Sequence, residues 1–178
     1  MKTSIQKDYY RHTSKWINHP WIKTIFNIDF RYTYLFRKIS EKKTPIIFNF
    51  FLKSYYKFLS KQINYHIDLK ATIGDGFYII HAHRLYVGPR VIIGKNCNFS
   101  HCTTIGQTKG RDNIIIGNKV WIGTYCVLDG NITIGNNVLI APLTYVNFNV
   151  PDNSIVIGNP AKIIKRENAT EDYINNTI

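Results

Sequence analysis

The sequence has few of the features that mark membrane-spanning or disulfide-bonded proteins. Its longest apolar run, from Pro45 to Leu52, contains Asn49 and falls far short of the roughly 20 residues that a helix needs to cross a bilayer. Only three cysteines are present, an odd number, and we find no signal peptide. We therefore expect a protein of a reducing, cytosolic compartment, or one at the inner face of the membrane.

Motifs that carry chemistry at a fixed spacing are also missing. The chain has no Walker loop, no dinucleotide-binding glycine pattern and no Gly-x-Ser-x-Gly elbow, which argues against nucleotide-binding and serine-hydrolase classes. His81-x-His83 is a spacing that could hold a metal, but no cysteine or carboxylate pattern joins it. We therefore predict no metal site.

Acidic residues are scarce, and the scarcity is concentrated in the first third of the chain. The formal net charge is +12. Residues 1–64 hold 13 Lys or Arg and 3 Asp or Glu, a net of +10, whereas the remainder holds 10 and 8, a net of +2. This basic region is also rich in aromatic residues. One interpretation is peripheral contact with an anionic membrane or with phosphate-bearing substrates, and the other is a helical cap with solvated lysines. We expect no nucleic-acid partner.

The sequence does contain a strict period of six residues. From Ile116 to Val150 it reads IGNKVW, IGTYCV, LDGNIT, IGNNVL, IAPLTY and VNFNVP. The first place of each unit is aliphatic, the second is often glycine, where we expect a bend, and the fifth is small or β-branched. Cys97 and Cys126 take the fifth place of their units, so we predict that both are core residues. A period of six is typical of a hexapeptide β-helix, because helices and hairpins repeat differently.

The period extends back to Ile67 and divides the chain into three parts. Residues 65–165 form the predicted β-helix domain, with about four coils between Ile67 and Val150. Residues 166–178 are polar, and we expect a loose tail.

Residues 1–64 are predicted to be helical and to cap the first coil. Up to about residue 18 we expect at most a frayed helix. Apolar residues recur at helical spacing from Trp21 to Ser40, and again from Pro45 to about Lys61. The second of these helices places on one face the residues Phe48, Phe51, Leu52, Tyr55 and Leu59.

Two insertions interrupt the repeat and point to a site. The unit that starts at Ile79 has eight residues, and eleven residues separate Ile105 from Ile116. Insertions in a solenoid form surface loops, often on its binding face.

If three units make one coil, the third residues of successive coils form a column of His81, His101, Thr124 and Pro142. Neighbouring coils lie roughly 4.8 Å apart, so we expect His81 to stand beside His101. Histidine suits proton transfer near neutral pH, and these two are our candidate catalytic residues. His83 is a weaker candidate, and a surface imidazole without a role remains the alternative for each histidine.

Residues 63–165 resemble the serine O-acetyltransferase branch of the hexapeptide acyltransferases, and most of all its members from capsule and exopolysaccharide gene clusters, such as the colanic acid acetyltransferases. The resemblance is carried by the segments IDLKATIGDGFYIIHAHRLYVG, SHCTTIG, IIIGNKVWIG and VPDNSIVIGNPAKII. It implies a left-handed parallel β-helix with a short N-terminal helical region, a homotrimer, and acetyl-CoA bound in a groove between subunits.

Residue by residue, the resemblance assigns to His81 the role of general base in a direct acetyl transfer from acetyl-CoA to an acceptor hydroxyl. It also implies the coenzyme contacts. Gly106 and Gln107 match loop residues that meet the pantetheine arm, and Thr124 and Pro142 match small residues that line the groove. The segment that closes over the coenzyme corresponds to Gly158, Pro160, Ala161 and Lys162.

Three departures from the serine enzymes bear on the acceptor. Ile80 stands where they have an Asp before the base, and Asp112 and Asn113 stand where they have an Arg-His pair that serves the amino-acid substrate. The acid that orients the base maps onto His66, and its replacement could be Asp68, Asp75 or a residue of a neighbouring subunit.

We therefore expect an O-acetyltransferase that acts on a small or lipid-linked sugar in capsule, exopolysaccharide or lipopolysaccharide biosynthesis. The alternatives are a serine acetyltransferase of cysteine biosynthesis and a β-helix scaffold without enzymatic activity.

Overall fold

The computed structural model describes residues 2–25, 27–41, 44–81, 83–107 and 113–178, which form a parallel β-helix preceded by helices. Within these residues, no helix has the length and apolar content needed to cross a membrane. A 3-10 helix spans Pro20–Ile25. The α-helices are α1 (Ser4–Thr13), α2 (Ile28–Ser40) and α3 (Ile46–Ile63).

The β-helix has three faces, and each coil contributes one strand to each face. Face 1 contains β1 (His66–Ile67), β4 (Tyr86–Val87), β7 (Thr104–Gly106), β10 (Val127–Asp129) and β13 (Tyr145–Val146). Face 2 contains β2 (Thr72–Ile73), β5 (Val91–Ile93), β8 (Ile114–Ile116) and β11 (Thr133–Ile134). Face 3 contains β3 (Tyr78–Ile80), β6 (Asn98–Ser100), β9 (Val120–Ile122), β12 (Val138–Ile140), β14 (Ser154–Ile157) and β15 (Lys162–Lys165).

Strand pairing confirms the predicted period. Ile79 pairs with Phe99, and Ile122 pairs with Ile140, so equivalent places of the six-residue units stack coil upon coil. All strand pairs are parallel except that of β14 with β15, which closes the last coil as an antiparallel hairpin. Four coils are complete at β12 and a fifth begins with β13, in agreement with the predicted number.

The core of the β-helix consists of the first and fifth places of the units. Ile105, Ile122 and Ile140 are fully buried, as are the cysteines predicted to lie inside. The Cys97 thiol donates to Gly117 O at 3.2 Å, and burial raises its pKa to about 12. Burial likewise raises the pKa of Cys126 to about 11. Both are confirmed as core residues.

Glycine at the second place has a different role from the expected one. Gly94 and Gly117 do not adopt positive φ, so no bend requires them. A Cβ at Gly94 would instead lie 2.5 Å from the carbonyl oxygen of Gly117 in the next coil. Glycine is needed because the coils approach each other too closely for a side chain.

Buried polar contacts join the helices to the first two coils. Arg37 of α2 forms an ion pair with Asp8 of α1, with 2.7 Å between Nε and Oδ2, and also donates to the carbonyl oxygens of Ile73 and Gly74. Asp8 in turn accepts a hydrogen bond from the backbone N–H of Phe77 at 2.9 Å. These contacts fix the helices against the edge between faces 2 and 3.

Helix α1 is better formed than predicted. Thr3 and Gln6 make a capping box at its N-terminus, and Arg11 near its end is buried and donates to Gly76 O at 3.2 Å. Helix α2 starts later than Trp21, because Asn27 caps it and accepts from the N–H of Phe30. The residues between Pro20 and Ile25 form the separate 3-10 helix.

Helix α3 was predicted with nearly correct ends, but only Leu52 and Leu59 of its expected apolar face pack against the core. Tyr56, Leu59 and Ile63 are buried against the rest of the protein. Phe48 and Phe51, which were expected on the same face as Leu59, are exposed. The apolar residues of α3 surround the helix, so periodicity alone identified only part of the packed side.

Residues 166–178 are packed and are not the loose tail that was expected. They run back along the edge between faces 2 and 3. Thr170 N–H donates to Asn137, Tyr173 O accepts from Asn98, and Ile178 exchanges two hydrogen bonds with Asn96. Asn176 reaches Ser14 beyond the end of α1, with 2.7 Å between Nδ2 and Oγ. We call this segment the return strap.

Candidate active site

The candidate histidines lie at the edge where the chain passes from face 3 to face 1, which we call the histidine edge. The ring centroids of His81 and His101 are 6.2 Å apart, and the rings are nearly perpendicular. His81 is exposed and His101 is half-buried. The predicted proximity of the two imidazoles is therefore present in the structure.

The backbone of the histidine edge shows where the first insertion falls. Ile80 pairs with Ser100, but Cys102 N–H donates to the carbonyl oxygen of His83 at 2.8 Å. Because the ladder passes from Ile80 to His83, His81 falls in the two-residue insertion. His83, rather than His81, occupies the place that stacks on His101.

His81 thus stands outside the regular ladder and has an unusual backbone. Its φ is +53°, whereas His101 and Thr124 in the later coils have no positive φ. A left-handed conformation is uncommon for residues other than glycine, although histidine tolerates it better than most. The insertion presents the His81 ring to solvent beside His101, where an incoming molecule has access.

His101 stands in a row of three rings. The ring of Tyr125, from the next coil, lies on its other side with 6.1 Å between centroids. The Nδ1 atom of His101 is buried and has no hydrogen-bond partner among the residues that the structure describes. Its backbone oxygen accepts from Thr124 Oγ1 at 3.0 Å, which joins two successive coils.

Sequence reasoning did not identify the residues at the fourth place of the units, which also lie on the histidine edge. Arg84, Cys102, Tyr125 and Leu143 follow the third-place column and all have positive φ, between 52° and 61°. Tyr125 is 56% exposed, and its hydrogen bond to the Cys102 thiol raises its pKa. The signal that could have found these residues is their position in the repeat, one place after the histidine column.

The column continues beyond the histidines with small residues. Leu143 N–H donates to Thr124 O, which continues the edge to Pro142. Since Ile140 pairs with Val156, Pro142 lies level with Gly158, whose N–H donates to Thr144 Oγ1 at 3.2 Å.

Lys162 pairs with Ile157, so it lies at the same end of the column. From His101 to Gly158 is three coil spacings of roughly 4.8 Å, or about 14 Å. Of the predicted coenzyme residues, Thr124, Pro142, Gly158 and Lys162 therefore share an edge with the histidines.

Gly106 and Gln107 lie at a different edge of the β-helix. They end face 1 at its edge with face 2, where Gln107 Nε2 donates to Gly130 O at 3.4 Å. Here they line two clefts of about 200 and 140 Å³, which share Tyr86. Gly106 and Gln107 lie at the opposite side of face 1 from the histidine edge, so one chain does not bring all the predicted residues together.

The structure does not place the proposed acids beside His81. Asp68 lies at the edge between faces 1 and 2, where it accepts from Lys70 N–H at 2.8 Å. Asp75 lies at the edge between faces 2 and 3 and binds Lys7 at 2.6 Å, and hydrogen bonds from Lys7 lower its pKa despite partial burial.

His66, which occupies the position of the family's orienting acid, stacks on Tyr86 with 5.1 Å between ring centroids. Asn113 is exposed, and Asp112 lies outside the described residues. In the part of the chain that the structure describes, no cluster of three or more His, Cys, Asp or Glu could hold a metal ion.

Comparison with protein families gives a match to the last part of the repeat. The family described as "Bacterial transferase hexapeptide (six repeats)" matches residues 113–147. Among curated proteins, the chain is 37% identical over 102 residues to the putative colanic acid biosynthesis acetyltransferase WcaB of Escherichia coli K12, which covers 56% of this chain and 62% of that protein. It is 32% identical over 110 residues to serine acetyltransferase 2 of Arabidopsis thaliana, which covers 60% and 34%.

A similar solved structure is the serine acetyltransferase of Brucella abortus strain S19 in complex with coenzyme A. It is 27% identical with a TM-score of 0.71, and the match covers 92% of this chain and 65% of that one. The chain thus spans less than two thirds of the length of each of these three relatives.

Proposed function

We propose that this chain, which belongs to the hexapeptide-repeat family, is an acetyl-CoA-dependent O-acetyltransferase whose acceptor is a sugar hydroxyl. The observation that carries the proposal is the histidine edge itself. It combines an exposed imidazole, a second imidazole 6.2 Å away, and a column of small residues that leads away from both.

The small column fits the thin pantetheine arm of acetyl-CoA. Thr124, Pro142 and Gly158 leave a track beside the coils, and Lys162 at its end supplies a positive charge for the phosphates. The similar Brucella structure was solved with coenzyme A, which supports the same co-substrate. On this arrangement the thioester lies at the histidines and the nucleotide at the far end of the column.

In the reaction we propose, His81 acts as the general base. Its imidazole takes the proton of the acceptor hydroxyl as that oxygen attacks the thioester carbon. Backbone N–H groups hold the resulting oxyanion, and the carbon–sulfur bond then breaks to give the acetyl ester. The imidazolium returns its proton to the departing thiolate. His101 contributes position and polarity from the next coil.

We further propose a homotrimer, in which a neighbouring subunit completes the site. Gly106 and Gln107 lie a full face away from His81 in one chain, and Asp68 and Asp75, the acids considered for orienting it, lie at other edges. A groove between subunits would bring the clefts of one copy to the histidine edge of another. A monodisperse monomer in light scattering would contradict this arrangement.

A sugar acceptor is favoured over serine by the residues of the chain rather than by its relatives. Both classes of acetyltransferase occur among the similar proteins. By the resemblance, Ile80 stands where the serine enzymes have an Asp, and Asp112 and Asn113 stand where they have the Arg-His pair that serves the amino acid, so the basic groups of that pair are missing. The serine acetyltransferase remains the second candidate, and a scaffold without activity is the third.

Calorimetry with coenzyme A, followed by a free-thiol release assay, separates the three candidates. We expect binding of the coenzyme, and thiol release with nucleotide-linked or lipid-linked sugars. Thiol release with serine alone would establish the second candidate. If coenzyme A does not bind at all, the scaffold is supported and the proposal is wrong.

The groove assignment has its own test. Thr124→Trp fills the column next to His101, so we expect the affinity for coenzyme A to fall by at least about tenfold, as expected for a lost contact of more than about 1.4 kcal/mol. Thr133→Trp places the same bulk on face 2, where Thr133 is exposed, and should leave the affinity unchanged. Equal affinities for the two variants would contradict our assignment of the groove, and thermal unfolding checks that both are folded.

A further inference from the structure

Helix α3 carries a large apolar surface that no other part of the described structure covers. Ile46 is 90% exposed, Ile47 is 76% exposed, and Phe50 and Phe51 are 67% and 63% exposed. Phe58, two turns later, is 57% exposed. Scattered exposed apolar residues are ordinary, but a contiguous cluster on one helix marks an interaction surface.

The way in which α3 is attached makes this surface accessible. Its second half is fixed to the rest of the protein, because Tyr56, Leu59 and Ile63 are buried and the Tyr56 hydroxyl donates to Ile67 O at 2.7 Å. In the first half, the apolar residues from Ile46 to Phe51 are all exposed. The helix is therefore held along one side, where Asn49 and Leu52 of its first half are also half-buried, and its apolar surface faces away from the protein.

A row of lysines runs beside the apolar surface. Lys53, Lys57 and Lys61 are spaced four apart, so they form one row along the helix, and all three are exposed. Ile47, Phe51 and Tyr55, also spaced four apart, form a second row. Helix α3 has no acidic residue, and none of its lysines takes part in an ion pair with the residues that the structure describes.

We propose that α3 is an interfacial helix that docks this protein on an anionic lipid bilayer. Lysines beside large apolar side chains are the composition of helices that lie in a membrane surface. Their charge complements anionic lipid, and their long stems let the ammonium groups reach the headgroups while the apolar row is immersed.

A second copy of this chain is a poorer occupant. It would bring another region of net charge +10 against the first, and interface cores are depleted of lysine. The bilayer adds no such repulsion. The inference is independent of the acetyl-transfer proposal, because it concerns no residue of the histidine edge and its test needs no acetyl-CoA.

The test is cosedimentation of the full chain with vesicles of phosphatidylcholine, with and without roughly 30% phosphatidylglycerol. We expect binding to the anionic vesicles, weak binding to the neutral ones, and loss of binding as the salt concentration rises. Phe50→Ser combined with Phe51→Ser should lower the partition coefficient by at least about tenfold, because two large side chains no longer leave water.

Matched variants distinguish the effect of the lysines on α3 from the effect of the protein's net charge. Lys53→Gln with Lys57→Gln should weaken binding by about fivefold per lysine. Lys95→Gln with Lys119→Gln removes the same charge from exposed positions on the β-helix, and should have little effect.

The proposal is overturned by either of two results. One is that the unaltered chain does not sediment with anionic vesicles. The other is that the phenylalanine variant binds them as well as the unaltered chain does. A phenylalanine variant whose oligomer dissociates in light scattering, while the unaltered chain ignores vesicles, would identify a second copy as the occupant.

Discussion

The helical cap of residues 2–64 and the β-helix that follows it obtain their structures in different ways. In the β-helix, one rule repeats: an aliphatic residue at the first place and a small one at the fifth both point inward, and each coil packs on the next. In the cap, position depends on single contacts such as Asp8 with Arg37. The repeat provides a rigid edge that can hold catalytic groups, whereas the cap provides surfaces that differ from one helix to the next.

The difference predicts that damage will have different consequences in the two regions. A change at an edge of the β-helix can remove function while the neighbouring coils preserve the fold. A change in one buried contact of the cap removes stability without touching the candidate site.

The largest expected effect is on the histidine edge. His81→Ala should lower the acetyl-transfer rate by about 10²–10⁴, as expected for the loss of a general base, with little change in thermal stability because the side chain is exposed. The affinity for coenzyme A, measured by calorimetry, should be nearly unchanged.

His101→Ala and His83→Ala serve as the controls for that experiment on the same acceptor. We expect a smaller loss from His101→Ala and the smallest from His83→Ala. A His81→Ala enzyme with near-normal turnover, beside an inactive variant of either other histidine, would show that the wrong imidazole was assigned.

In the cap, removal of the buried ion pair should have the next largest effect. Arg37→Ala leaves the Asp8 carboxylate buried without its partner, so urea unfolding should show a loss of about 3–5 kcal/mol. Lys38→Ala, one residue along the same helix, should change stability by less than about 1 kcal/mol. If Arg37→Ala also changed the stability by less than about 1 kcal/mol, the cap would not depend on this contact.

A buried histidine should make the cap sensitive to acid. His12 packs against Phe30 and Tyr78, and burial, together with the nearby Arg11, lowers its pKa from 6.5 to about 4. Between these values the unfolded chain binds a proton that the folded chain does not, so stability is full above about pH 6.5 and falls as the pH drops towards 4. The total loss is about 3 kcal/mol.

His12→Leu removes the titrating group and keeps an apolar side chain. Urea unfolding of both proteins at several pH values should show that the variant lacks this part of the pH dependence. Parallel curves for the two proteins between pH 6.5 and about 4 would contradict the assignment.

The smallest expected effect is in the β-helix, where crowding between coils can be tested by one methyl group. Gly94→Ala places a Cβ 2.5 Å from Gly117 O, so we expect a loss of about 1–3 kcal/mol in urea unfolding. Gly88→Ala is the control, since its Cβ would meet no atom nearer than 3.5 Å. Equal stabilities would mean that the coils move apart at little cost.

The sequence allowed most of the β-helix to be predicted, because its rule is local and repeats. The number of coils, the inward residues and the proximity of His81 to His101 all follow from counting in sixes. Counting could not show that His83 takes the regular place in the ladder, since an insertion can be absorbed on either side of a residue.

Prediction was less successful in the cap and at the end of the chain. Only part of the packed side of α3 could be found from periodicity, because apolar residues such as Phe51 and Tyr56 occur all around the helix. The buried partners Asp8 and Arg37 lie 29 residues apart, and no local pattern joins them. The return strap consists of polar residues whose hydrogen bonds go to distant coils.

The return strap changes how the molecule as a whole should unfold. A solenoid whose coils touch only their neighbours can fray from an end, one coil at a time. Here residues 166–178 contact Asn153 and Asn137 in the late coils, Asn96 in the second coil and Ser14 in the cap. The strap turns an open stack into a closed ring of contacts, so an end coil cannot separate unless bonds several coils away are broken. The coils and the cap should therefore unfold together in one cooperative transition.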